Sequence, residues 1–304
     1  MKKIVAITLA MLMLLLVVGC TISDTGSDTG TTQPSSGTTS PSTTTEAATT
    51  KATTAATTAP SNEPTIQEQV ILEQDDIIIT AKSIEDSWMG PELKVLIENN
   101  SNSGIMVQAR DVSVNDIMVS DMFSADVAAG KKSNDGITFM LPDAAGIEII
   151  KKIEMRLVVM DGSTWNTILE TEPIVLETSA DYVQQYNDSG EEIMNAEDIR
   201  VVFQDIDSDS LWGADLVLFI DNGRKDNVTV QVRDVSVNGF MVTAMFSADV
   251  MSGKKAYDSI SFLSSELTEN GIDELEEIEF RFTVLDAGTW KTIYDSEIVT
   301  INLK

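Results

Sequence analysis

Two sets of side chains in this sequence have the type and spacing to do chemistry, and neither includes a histidine, because the chain has none. The run Asp-Ile-Asp-Ser-Asp-Ser places Asp205, Asp207 and Asp209 at alternate positions, as in loops that hold Ca2+ with carboxylates. An EF-hand loop would also need Gly at its sixth and Glu at its twelfth position, where this chain has Ser210 and Leu216. Calcium at a loop and a plain solvated acidic turn are therefore the two readings, and no other cofactor is expected. Trp165 and Trp290 both stand in Thr-Trp-x-Thr-Ile. Each could stack on a sugar ring from a loop tip or plug one end of a core. Trp88 and Trp212, behind acidic or serine-rich turns, carry the same pair of readings.

Without histidine there is no Ser-His-Asp or Cys-His arrangement and no imidazole base or zinc ligand. No GxSxG, P-loop or GxGxxG context occurs either. Catalysis would rest on carboxylates, lysine or a Ser-Lys pair, so the chain is expected not to be an enzyme. A carboxylate-dependent hydrolase is the weaker alternative. Forty-nine acidic residues against 20 basic ones give a formal charge of -29. Nucleic acid is thereby disfavoured as a partner, since phosphate affinity comes from Lys and Arg, and anionic lipid headgroups should repel the chain.

The elements that must position these residues come in duplicate. Residues 107–140 and 230–263 are identical at about 22 of 34 positions, and the likeness extends from "ELKVLIEN" against "DLVLFIDN" to "MDGSTWNTI" against "LDAGTWKTI". Two homologous units of about 110 residues follow, each large enough for its own core. From Phe240 to Val250 apolar residues fall on every second position, the period of a half-buried strand. Asn238-Gly239, and Asn115-Asp116 in its place, predict type I′ hairpin turns. That register sets Val237 against Phe240, Val235 against Val242, Val114 against Ile117 and Val112 against Val119. The phase slips at Arg110-Asp111 and Arg233-Asp234, which predicts a bulge or a crossing between sheets.

Further strands are expected over 77–83, 93–99, 137–141, 153–160 and 167–177, with short helical turns in "DAAGIEIIKK" and "SELTENGIDELEE", the latter stopped by Gly271. Short strands with turns every 8–12 residues argue an all-β fold of two tandem immunoglobulin-like β-sandwich domains, with a small barrel as the alternative. Met118, Met122, Met241 and Met245 on the second face of the hairpin strand are either filler or an adaptable sticky stripe. Arg110, Asp111, Asp126, Lys131 and Lys132 recur as Arg233, Asp234, Asp249, Lys254 and Lys255, either as a duplicated polar site or as bulge, edge and turn residues.

The N-terminus, "MKKIVAITLAMLMLLLVVGC", has two lysines and an apolar run too short for a comfortable bilayer span. Its end, Leu16 to Cys20, resembles the lipobox of bacterial lipoproteins, and Cys20 is the only cysteine. The resemblance implies a signal peptide over 1–19, acylation (palmitate or a similar chain) on Cys20, and a cell-membrane location, lipid-anchored on the extracytoplasmic face. Residues 20–66, rich in Thr and Ser, are expected to be a disordered tether spanning on the order of 35 Å. The domains are then 67–179 and 191–304, with a linker at 180–190. The segments "LIENNS", "DVSVN" and "AGKKSNDGITFML" together are similar to immunoglobulin-like domains of unknown function from Gram-positive surface lipoproteins. That likeness implies a fold and an extracytoplasmic setting and supplies no catalytic residues. The function expected is a surface-displayed binding or spacer module with a protein or glycan partner. The alternative is a transporter-associated receptor for a solute or divalent cation.

Overall fold

In the computed structural model, the chain is described over residues 64–210 and 213–304. The leader, Cys20, most of the tether and Trp212 lie outside these residues, as does the side chain of Asp209. The regular structure of the described part is almost all strand, and the duplication is visible element by element, with eleven strands in each half. The first half contains β1 (Gln69–Gln74), β2 (Ile77–Ser87), β3 (Gly90–Asn99), β4 (Ile105–Val114), β5 (Ile117–Met118), β6 (Ser120–Met122), β7 (Ser124–Val127), β8 (Lys131–Met140), β9 (Lys152–Asp161), β10 (Thr167–Glu170) and β11 (Ile174–Glu177). The second contains β12 (Glu191–Ala196), β13 (Ile199–Ser210), β14 (Gly213–Asn222), β15 (Val228–Val237), β16 (Phe240–Met241), β17 (Ala244–Met245), β18 (Ser247–Val250), β19 (Lys255–Leu263), β20 (Glu277–Asp286), β21 (Thr292–Asp295) and β22 (Val299–Asn302). A 3-10 turn at Asp143–Ala145 is matched by one helix, Ser264–Glu269, and Gly271 ends that helix with a left-handed φ of 67°.

The strands form open sheets, not a barrel. One sheet runs β1-β2-β3-β8-β6 and a second β16-β15-β20-β21, with β18 and β22 alongside. Between them lies a sheet of eleven strands whose central order is β10-β9-β4-β5-β19-β14-β13-β12. The junction β5–β19, a parallel contact of Ile117 with Lys255, makes this middle sheet continuous across the two halves. The residues alternate as a buried face requires. Ile79, Ile97 and Ile137 meet Val107, Leu157 and Val159 in one core, and Leu218, Ile220 and Ile260 meet Val230, Phe282 and Val284 in the other. Both cores belong to one compact unit.

The hairpins have the expected register. Val114 pairs with Ile117 and Val237 with Phe240, and both turns have positive φ at their two central residues. Val119 and Val242 each donate a backbone hydrogen bond back to Val112 and Val235. The register shift after Arg110 and Arg233 is a bulge with Asp111 and Asp234 at φ 54°.

Two expectations fail. Phe240 to Val250 is not one strand: the segment pairs with β15, then with β19, then again with β15. Alternation survives because both sheets bury the same parity of side chain. The stretch 167–177 is likewise two strands, both against β9, broken where Pro173 lacks an N–H for the ladder.

Candidate binding groove between the repeats

The turn that carries each predicted tryptophan is built the same way twice. Asp161 accepts hydrogen bonds at one carboxylate oxygen from the backbone N–H of Ser163 and of Thr164 and from the Thr164 hydroxyl. Asp286 does the same for Thr289. These bonds, first those from Thr164 and Thr289, hold both carboxyls below the usual range. The chain is thereby folded so that Trp165 N–H reaches Asp161 O and Trp290 N–H reaches Asp286 O. The backbone then lands in the left-handed region, at φ 61° for Trp165 and 59° for Trp290. A glycine would sit there without steric cost; a tryptophan does not. Both rings face outward, 61% and 64% exposed, and Trp88 is 92% exposed. None of the three plugs a core.

Trp290 borders a groove of about 540 Å³ between the repeats. Asp111, Glu154 and Arg156 line it from the first half, and Asn227, Asp249 and Trp290 from the second. Arg156 ion-pairs with Asp111 and Glu170, and Asp249 accepts a 2.6 Å bond from the Thr229 hydroxyl. Trp165 and Trp88 do not line this groove.

What fixes the groove's walls is a cluster that sequence reading did not assemble. The Lys254 ammonium, 8% exposed, donates to Asp116 at 2.7 Å and to Glu154 at 2.6 Å. Burial alone would raise the Asp116 carboxyl, but donation from Lys152 and Lys254 outweighs it and leaves the group below the usual range. Burial alone would lower Lys254, and its two carboxylate partners turn that into a net rise. Beneath this cluster Ile117 and Ala145 pack against Val202, Phe219 and Tyr257. The Phe219 and Tyr257 rings are 5.2 Å apart.

Residues 180–190 dock across this contact. The Tyr186 hydroxyl donates to Asn115 O and the Tyr257 hydroxyl to Asn187 O, while the Lys255 ammonium stands 4.7 Å over the Tyr186 ring. The signal for this interface is in the sequence. Val201-Val202 and Leu218-Phe219-Ile220 are apolar without alternation and are buried on both faces; the first copy has Thr80 in the place of Val202 and a smaller, half-buried Leu96 in the place of Phe219.

The remaining candidates are dispersed. The acidic run at 205–210 is not a turn: Asp205 and Asp207 are exposed positions of strand β13. Alternate residues there stand roughly 6.6 Å apart, which is long for side chains meant to share one ion at about 2.4 Å. Among the described residues no group of three or more acidic or thiol side chains converges as a metal site. Of the methionines, Met118 packs against the second core, while Met122, Met241 and Met245 are exposed. Of the duplicated polar set, Asp111 and Asp234 are bulge residues, and Lys254 has become the inter-repeat ion pair. Lys131 forms no ion pair among the described residues.

No protein-family model and no curated protein matches this chain. Among solved structures it is similar to the YadV chaperone, at 12% identity and TM-score 0.24 over 75% of this chain and 100% of that one. It is also similar to a complex of the Salmonella enterica SafA pilin with the SafB chaperone, at 12% and 0.24 over 76% and 98%. A third likeness is to the CsuC–CsuE chaperone–tip adhesion subunit pre-assembly complex of Acinetobacter baumannii, at 14% and 0.19 over 69% and 90%. Likeness at this level carries no functional assignment.

Proposed function

We infer that this chain is a non-catalytic binding module of two tandem immunoglobulin-like β-sandwich domains, held at the extracytoplasmic face of the membrane through acylated Cys20. Its ligand is a surface glycan, taken in the groove that Trp290 heads. The observation that carries this reading is the left-handed, outward-facing tryptophan beside a polar groove. The aspartate-centred turn sets the left-handed φ at Trp165 and Trp290 alike; what marks Trp290 is its place beside the groove, where an indole face flanked by carboxylates and an arginine suits a ring of hydroxyls and C–H groups. The lipobox resemblance and the Thr-rich run to residue 66 support the setting.

A hydrolase would need a pair of free groove carboxylates, one of them to carry a proton. Of the four carboxylates that line the groove, Asp111 and Glu154 are tied to Arg156 and Lys254 and Asp249 accepts from the Thr229 hydroxyl, which leaves Glu172 without the second free carboxylate that an acid–base pair needs and favours binding over turnover. Isothermal titration of the chain with oligosaccharides released from cell-wall and surface polysaccharide tests the reading. Binding should be lost in Trp290→Ala and kept in Trp165→Ala. Equal heats for both variants, or no heat with any glycan, would overturn it.

A further inference from the structure

We propose that the hairpin tip of the second repeat, Asn238 to Met241, is a docking knob for the first repeat of a second copy of this chain, so that copies join head to tail.

Within one chain the same element of the first repeat already does this. The tip at Asn115 to Met118 sits on the outer face of β13, β14 and β19. Its Ile117 is buried against Val202, Phe219 and Tyr257, and Asp116 O accepts the Lys255 N–H at 2.9 Å. In the second repeat the equivalent tip is uncovered, with Phe240 48% and Met241 67% exposed. The face equivalent to its receptor is uncovered as well. By the alignment of the copies, that face carries Thr80, which is buried, Leu96, which is half-buried, and the exposed Asn134, Lys131 and Lys132.

The two free surfaces differ from the internal pair in ways that compensate. Inside the chain a small knob, Ile117, meets a large face, Phe219 and Tyr257. At the free ends a large knob, Phe240, would meet a smaller face, Leu96 and Asn134, so the knob makes up part of the volume that the face has lost. Charge follows the same pattern. Inside, Lys254 is met by Asp116 and Glu154. At the free tip Gly239 replaces Asp116, but Glu279 keeps the place of Glu154, and Glu277 replaces Lys152. Neither glutamate has an ion-pair partner among the described residues, and nor does Lys131, the counterpart of Lys254.

The backbone is ready too. Lys132 stands opposite Glu98 in the β3–β8 ladder as Lys255 stands opposite Asp221 in the β14–β19 ladder, so its N–H has the place from which that of Lys255 meets Asp116 O, here toward Gly239 O. Two tips could not face each other, because each brings Glu274, Glu276, Glu277 and Glu279. The contact is therefore heterologous and joins the sheet of β16 in one copy to the sheet of β8 in the next.

The test uses the full chain in non-ionic detergent, mixed as heavy-isotope and light-isotope copies and treated with a carbodiimide, which joins amines to carboxylates in direct contact. The expected product is an inter-copy link from Lys131 or Lys132 to Glu277 or Glu279. Lys131→Glu should weaken association about tenfold by sedimentation, and adding Glu277→Lys, a residue type the first repeat already has in that place, should restore it. Links only between two tips would overturn the proposal. So would a monomer that persists to about 0.1 mM, or a charge swap that fails to rescue a variant whose circular dichroism is unchanged.

Discussion

Trp290 occupies a backbone conformation that costs an L-residue with a large side chain about 1 kcal/mol, and its ring recovers little of that by burial. Trp290→Gly should therefore raise stability by about 1 kcal/mol in denaturant titration while abolishing glycan binding. A loss of stability would show that the indole has a packing role. Asn222 is the opposite kind of residue. Wholly buried, it donates through Nδ2 to the carbonyls of Asp226 and Val250 and accepts from Arg224 N–H. Asn99 plays the same part at Ser103 and Val127. Asn222→Ala leaves these backbone groups dry and unpaired, and should cost about 1–3 kcal/mol by chemical denaturation. Much of the likeness between the copies is of this kind: an asparagine that closes a loop, or an aspartate that makes a bulge.

At the scale of elements, the hairpins were legible because a two-residue turn fixes both register and face. Asn238 shows why the turn is so well specified: its Nδ2 donates to Glu274 O while its Oδ1 accepts the N–H groups of Glu276 and Glu277. The bulges at Asp111 and Asp234 were legible from the slip in phase. The strand after each hairpin was not, because alternation reports which face is buried and is silent about which neighbour supplies the hydrogen bonds. Nor was the outward tryptophan: a Thr-Trp pair has no signature for left-handed φ until the Asp161 or Asp286 carboxylate is seen gathering the turn. Ile117→Ser should leave both cores folded yet weaken the inter-repeat contact. Hydrogen exchange should rise at Lys255 and Phe219 and stay unchanged at Leu157; an unchanged rate at all three would argue against the contact.

For the whole molecule, the two cores are joined by one buried ion-pair cluster over a small apolar patch. Removing the cation leaves Glu154 without its partner and Asp116 with Lys152 alone, both only partly exposed, so Lys254→Met should cost about 1–3 kcal/mol and split one calorimetric transition into two. The same cluster sets a pH window. The lowered carboxyl of Asp116 contributes stability that is fully present above its unfolded value, about 3.9, and is lost as pH falls through the folded one. The raised ammonium of Lys254 contributes stability that is present below about 10.4 and lost as pH rises through its folded value. Coupled unfolding is thus expected at neutral pH and separate unfolding of the two cores once the pH has fallen through the lowered value of the Asp116 carboxyl, as scanning calorimetry over a descending pH series would show. This cluster was hidden in the sequence because its members, Asp116, Glu154 and Lys254, are distant in the chain and sit in a background of dozens of acids.

The outward setting of Trp88, Trp165 and Trp290 has an optical consequence. Indoles bathed in water emit at the long wavelengths of a denatured chain, so these three will glow in the folded protein as they would in an unfolded one, and their emission will change little on melting. A saccharide seated over Trp290 would shift that light toward the blue with no change in fold.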